Sequence, residues 1–286
     1  MMSGITKKSS PSTYHPPLTN LNMKKPKGTL IALGGGGDDV LIQLIHSVYC
    51  HQKSTIEVIT TAAPEPQESG QAYVEAFEEL GLPNVRFMHI DEQNAADQPQ
   101  YLDRIRKADV VFFTGGDQRR ILEFLQNTQV NKLLKERYWH EDLLIAGTSA
   151  GSAAMSDKMI YEGYGPYSLE KGRTKLSGGL SFIRHVYIDT HFTERGRFGR
   201  LAIAVAQHQE YIGIGLGEET GIIIREGNIL EVFGIGVVTI IDGSEIKNSN
   251  LHEVAHGSPI AVEHLVMHLL VEGQQYSLKE KAIRFT

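Results

Sequence analysis

The chain has 286 residues, 41% of them hydrophobic, enough to enclose a sizeable core. Its formal net charge of −6 lacks the basic excess expected of a nucleic-acid binder. One cysteine, Cys50, excludes an intramolecular disulfide and a cysteine-based zinc cluster and fits a reducing, cytoplasmic compartment, and no apolar run approaches the roughly 18 residues of a membrane span.

Residues 1–27 are rich in Ser, Thr, Pro and Lys and have no apolar stretch, so they read as a mobile tail. The remainder, 28–286, reads as one α/β domain. Short β-branched runs, GTLIALGG, STIEVITTAA and NVRFMHID, alternate with the helically spaced DDVLIQLIHSVYCHQ and SGQAYVEAFEELG. The series continues with PQYLDRIRKA (helix), DVVFFTGG (strand), DQRRILEFLQ and NKLLKERYW (helices) and LLIAGTS (strand). Nearly continuous apolar strands separated by helices predict a parallel sheet covered on both faces. After about residue 208, glycine-punctuated runs predict β hairpins that close the same domain.

Ligands of such sheets gather at the carboxyl ends of the strands. Two small-residue turns fall there, Thr114–Gly116 and Gly147–Ser152. The second contains G-x-S-x-G around Ser149, the spacing of a nucleophile elbow, and SAGSAAMSDK is expected to supply the helix that follows. Small neighbours let a strand turn sharply into a helix while one hydroxyl stays exposed. A helix N-terminus under that hydroxyl favours a developing oxyanion.

A serine hydroxyl needs a base to take its proton. Of 12 histidines, His191 stands out, because the strand-like run 185–189 delivers it just before a polar turn and a helix. A carboxylate must then orient the imidazole. GIGLGEETGIII offers Glu218 and Glu219 in a glycine-rich break between two apolar strands.

Four segments in order, FFTGGDQ (112–118), GTSAGS (147–152), IDTHFTERGRFGRL (188–201) and GIGLGEETG (213–221), resemble the S51 family of serine peptidases, most closely its cyanophycin-degrading members. The resemblance runs from about residue 28 to 270. It implies a three-layer sandwich with a mostly parallel central sheet, like class I glutamine amidotransferase domains and flavodoxin, with a β-rich C-terminal part. It also implies a Ser-His-Glu triad, no metal or cofactor, and a homodimer. Matched residue by residue, Ser149 is the nucleophile, His191 the base and Glu218 the acid, with the amides of Gly116 and Ala150 as oxyanion donors. Gln118, Asp189, Thr190, Arg195, Arg197 and Arg200 fall on the substrate-binding positions. The implied substrate is cyanophycin, a poly-aspartate backbone bearing arginines on its β-carboxyls, cut to β-Asp-Arg dipeptides. The alternative within the family is a dipeptidase acting on short aspartyl or isoaspartyl peptides. Protein guanidinium groups suit a substrate rich in α-carboxylates, and Asp189 or Glu219 suits its guanidinium groups. Three features depart from the family pattern: Thr190 stands where glutamine is usual, Gly217 where aspartate is usual, and the first strand ends in Gly34–Gly37 followed by Asp38 and Asp39.

Three rival readings have sequence support. LIALGGGGDD leads a strand into a glycine loop, yet G-x-G-x-x-G fails because Asp39 occupies the third glycine position, and two carboxylates would repel a pyrophosphate. His252, Glu253 and His256 spell the H-E-x-x-H of zinc peptidases, a motif that requires a helix. Gly257, Ser258 and Pro259 follow at once and leave room for two turns at most. The third reading is a binding protein that keeps the fold without the chemistry.

Overall fold

The computed structural model describes residues 25–163 and 165–284. Residues 1–24 of the tail expected over 1–27 lie outside the described residues. The alternation seen in the sequence appears as β1 (Thr29–Leu33), α1 (Asp39–Leu44), β2 (Ile56–Ile59), α2 (Pro66–Glu79), β3 (Val85–Met88), α3 (Gln93–Ala96), α4 (Pro99–Lys107), β4 (Val110–Phe113), α5 (Gln118–Leu125), α6 (Gln129–His140) and β5 (Leu144–Thr148). Helix starts follow local chemistry. Proline opens α2 and α4, where its missing N–H costs nothing. Asp117 caps α5 by accepting from the Arg119 amide at 2.9 Å, and Thr128 caps α6 by accepting from Asn131 at 3.3 Å.

The rest of the chain runs α7 (Ala150–Ala153), β6 (Lys158–Glu162), β7 (Lys175–Gly178), β8 (Val186–Asp189), α8 (Phe198–Gln207), β9 (Ile212–Leu216), β10 (Thr220–Arg225), β11 (Ile229–Gly234), β12 (Val238–Asp242), β13 (Asn248–Ser249), β14 (Val262–Glu263), β15 (Val266–Leu270), β16 (Gln275–Ser277) and β17 (Ala282–Arg284). Helix α7 is a single turn, shorter than SAGSAAMSDK suggests. The segment 180–183 takes the carbonyls that a longer helix would use: Leu180 N donates to Ala154 O at 2.8 Å and Phe182 N to Met155 O at 2.9 Å.

A nine-stranded sheet has the order β17-β16-β11-β10-β1-β5-β4-β2-β3. Strands β1 to β5 are parallel, and β10, β11, β16 and β17 continue the sheet antiparallel from β1. A second sheet, β15-β12-β9-β8, is parallel only between β8 and β9, which α8 connects. Alternate residues of β1 sort the layers. Ile31 and Leu33 pack with α1 and α2 on one face. Leu30 and Ala32 pack on the other with α4–α6 and with the inner residues of the second sheet, Ile188, Ile214, Leu216 and Ile240. Tyr187 and Ile241, on that sheet's outer face, pack against Leu201 and Val205 of α8. The third layer of the expected sandwich is thus shared between helices and a small sheet. Each fully buried aliphatic side chain contributes about 2 kcal/mol.

Strand order places the carboxyl ends of β1, β5 and β4 side by side. The second sheet brings the ends of β8 and β9 against them. Every loop singled out in the sequence leaves one of these five ends.

Candidate active site

Ser149 follows β5 with φ 49° and ψ −109°, a left-handed backbone that a non-glycine residue adopts only under restraint. His191, after β8, has φ 45°, and Glu219, after β9, has φ 52°. One short stretch restrains all three. At the end of β1, the carbonyls of Leu33, Gly34 and Gly35 accept in turn from the amides of Ser149 (3.0 Å), His191 (2.8 Å) and Glu219 (2.8 Å). The glycines allow this approach: a Cβ on Gly34 would lie 2.0 Å from Gly217 O, and one on Gly35 2.3 Å from the His191 ring.

Three side chains then stand in line. Ser149 Oγ lies 2.8 Å from His191 Nε2, and His191 Nδ1 lies 2.6 Å from Glu218 Oε1. With the Nδ1 proton donated to Glu218, Nε2 presents its lone pair to the serine hydroxyl. The imidazole is mostly buried, whereas the Glu218 side chain is 40% exposed. Glu219 points elsewhere, exposed beside Gly36 and Gly37.

The Gly115–Gly116 turn after β4 packs against Ser149. A Cβ on Gly115 would lie 3.5 Å from the serine Cβ, and Gly116, at φ 133°, could carry none without meeting Ala62 O at 2.0 Å. The amides of Gly116 and Ala150 flank the serine and donate to no backbone carbonyl found among the described residues. Helix α7 has only one turn.

A cleft of about 500 Å³ opens onto Ser149 and His191 and is walled by α2 and the loop before α1. The charged side chains lining it besides His191 are Asp38, Glu65 and Glu68, with no lysine or arginine. Tyr73 donates to Asp38 Oδ2, while Oδ1 is buried and meets no partner among the described residues. Burial raises the Asp38 carboxyl above the ordinary carboxylate range against the pull of the Tyr73 hydrogen bond, and burial beside Asp38 raises the Tyr73 hydroxyl. The α2 wall is not legible in the sequence. Its one sequence trace is the spacing of Glu65, Glu68, Ser69 and Ala72 on one helical face.

Four residues expected to touch substrate do not reach the cleft. Asp189, Thr190, Arg197 and Arg200 are buried, because the two arginines fold back onto the Asp189 carboxylate and the Thr190 carbonyl. Gln118 is half-buried with its amide 3.4 Å from Ile160 O, and Arg195 is exposed on the loop after His191. Neither lines the cleft. The zinc reading fails on geometry: residues 251–258 form turns, so His252, Glu253 and His256 share no helical face. No group of three or more His, Cys, Asp or Glu able to hold a metal occurs among the described residues.

The family model for peptidase family S51 matches residues 26–232. The chain belongs to peptidase family S51. This S51 chain is a serine peptidase. It is 32% identical over 271 residues to a protein named cyanophycinase from Trichormus variabilis, covering 92% of this chain and 91% of that one. The cyanophycinase of Geminocystis herdmanii is 31% identical over 88% of this chain and 94% of its own. The Bacillus subtilis protein named uncharacterized peptidase YgaJ is 25% identical over 54% of this chain and 67% of its own. In fold, the crystal structure of a peptidase from an acI-B1 actinobacterium superposes with a TM-score of 0.64 at 20% identity, covering 89% of this chain and 98% of that one. No helix among the described residues is long and apolar enough to cross a membrane.

Proposed function

We propose that this S51 peptidase hydrolyses the aspartyl backbone of cyanophycin to β-Asp-Arg dipeptides through Ser149, His191 and Glu218. The observation that carries the reading is the unbroken line from Ser149 Oγ through the imidazole to Glu218 at 2.8 and 2.6 Å, on a chain about 30% identical to cyanophycinases over most of its length.

Ser149 Oγ attacks the scissile carbonyl carbon while His191 Nε2 takes the hydroxyl proton. The Gly116 and Ala150 amides donate to the resulting oxyanion. Collapse breaks the C–N bond, and His191 returns the proton to the leaving amine. Water then attacks the acyl-enzyme by the same relay, releasing the new carboxylate and restoring Ser149. Glu218 keeps the Nδ1 proton in place and stabilises the imidazolium. The acidic wall of Asp38, Glu65 and Glu68 suits a substrate that brings a guanidinium close to the cut bond. Glu219, exposed beside the glycine loop, suits a further one.

The second reading, a dipeptidase for short aspartyl or isoaspartyl peptides, draws on the same cleft and on the burial of Arg197 and Arg200 away from any extended polymer. Purified protein incubated with insoluble cyanophycin, with and without chelator and beside Ser149→Ala, separates the readings. Soluble β-Asp-Arg from wild type alone, unaffected by chelator, is the expected result. Intact polymer with cleavage of short β-aspartyl peptides would transfer the assignment to the dipeptidase.

A further inference from the structure

Helix α5 starts two residues after Gly116, and one of its faces turns toward the hairpin of β6 and β7. Two side-chain amides tie the helix to this region, one at each end. Gln118 Nε2 donates to Ile160 O at 3.4 Å, and Gln126 Nε2 donates to Gly179 O at 3.4 Å. Gly178 makes room for the second tie, since a Cβ there would lie 2.6 Å from Gln126 Nε2. Between the ties, helix and hairpin stand apart and leave a groove of about 490 Å³. Packing alone would close such a seam.

The groove has the lining of a site for a group that carries both charges. Arg119, Leu122 and Glu123 line it from the helix, and Tyr161 and Leu176 from the hairpin. Arg119 and Glu123 are exposed and four residues apart on one helical face, so a cation and an anion are rooted about 5–6 Å apart at Cβ. Leu122 and Leu176 add apolar surface beside them. Arg119 also pairs with Asp117 at the start of the helix. Such a pair still takes further partners, because a guanidinium donates through several N–H groups and a carboxylate accepts at several lone pairs.

Every unit of cyanophycin carries an α-carboxylate and a guanidinium joined by a short aliphatic stem, and only the units next to the cut bond can occupy the cleft at Ser149. A unit further along the polymer matches the groove: carboxylate to Arg119, guanidinium to Glu123, stem along the leucines. The reach fits as well. Arg119 lies three residues beyond Gly116. From there to Gln126 the helix runs about 10 Å, the length of about three aspartyl residues in an extended backbone.

We propose that the groove between α5 and the β6–β7 hairpin is a docking site for cyanophycin units beyond the cut bond, with Arg119 receiving an α-carboxylate and Glu123 a guanidinium. The proposal rests on the reading of cyanophycin as the substrate. A chain held in the groove meets Ser149 at a high effective concentration, so the groove acts on long substrates and not on the shortest one.

Soluble β-Asp-Arg oligomers of two units and of about six units, the longer able to cover both cleft and groove, are to be compared as substrates of wild type, Glu123→Lys and Ser177→Trp, each checked for cooperative thermal unfolding. Glu123 is exposed, so its charge can be reversed without disturbing the core, and a tryptophan at Ser177 fills the groove. Wild type should cleave the longer oligomer with kcat/KM on the order of tenfold higher or more, through a lower KM. Both variants should lose that gain while cleaving the two-unit peptide within about twofold of wild type. Glu123→Lys carries the test alone if Ser177→Trp does not fold. A wild type with no gain in length, variants that keep the gain, or variants that lose equally on both oligomers would each overturn the docking site. Cleavage of neither oligomer by wild type would instead overturn the cyanophycin reading beneath it.

Discussion

Glu218 and Glu219 are the same side chain on adjacent residues, and backbone geometry alone gives them different chemistry. The Glu219 amide is tied to Gly35 O at φ 52°, which turns its carboxylate outward and leaves Glu218 facing the imidazole. From sequence the pair offered two candidate acids, because a glycine-rich break between strands does not reveal which residue takes the left-handed conformation. Glu218→Gln should lower kcat about 10³- to 10⁴-fold, the loss typical when an orienting carboxylate can no longer hold the correct tautomer. Glu219→Gln should leave kcat within about threefold, since it keeps the backbone bond and lies outside the line from Ser149 to Glu218, and the loss of a guanidinium contact should appear in KM. Steady-state kinetics on a short β-aspartyl peptide reads both. Equal losses would mean that the two carboxylates act together.

At the scale of elements, the end of β1 organises the site. Its three successive carbonyls hold the amides of Ser149, His191 and Glu219, so two sheets and three loops are referred to one strand end. Gly35 is the sensitive point, at φ 101° with the His191 ring in van der Waals contact. Gly35→Ala should therefore cost activity on the order of 100-fold by moving the imidazole about 1 Å. Circular dichroism should still report the same secondary structure, and an alanine variant with wild-type kcat would show that the imidazole can follow the loop.

The parallel strands, their helices and the loops bearing Ser149, His191 and Glu218 were legible in the sequence because strand and helix periods and small-residue turns are local signals. The burial of the arginines was not legible, for the opposite reason. Arg197 and Arg200 lie at the start of an amphipathic helix, where an exposed cation and a buried one look alike until the chain brings Asp189 beneath them. The acidic wall was invisible for a related reason, since Asp38 and Glu68 meet only when α2 packs over the loop before α1.

Across the whole molecule, the turn Gly217–Glu219 passes from the small sheet into the large one, so the proposed acid sits where two layers join. Stability and site chemistry meet in the same region at Asp38. The folded chain binds a proton at this carboxyl more tightly than the unfolded chain does, because burial raises it. Between the ordinary carboxylate value and the raised one, the folded state therefore carries the extra proton, and stability falls as pH rises through that window. The loss is complete once the folded group has ionised. Asp38→Asn removes the ionisation while its carbonyl still accepts from the Tyr73 hydroxyl. Urea unfolding at several pH values should thus find the variant gaining on wild type as the pH rises above the ordinary carboxylate value, until the folded carboxyl has ionised. A difference in unfolding free energy that does not change with pH would mean that the Asp38 carboxyl titrates alike in both states, and burial in the cleft would then cost the fold nothing.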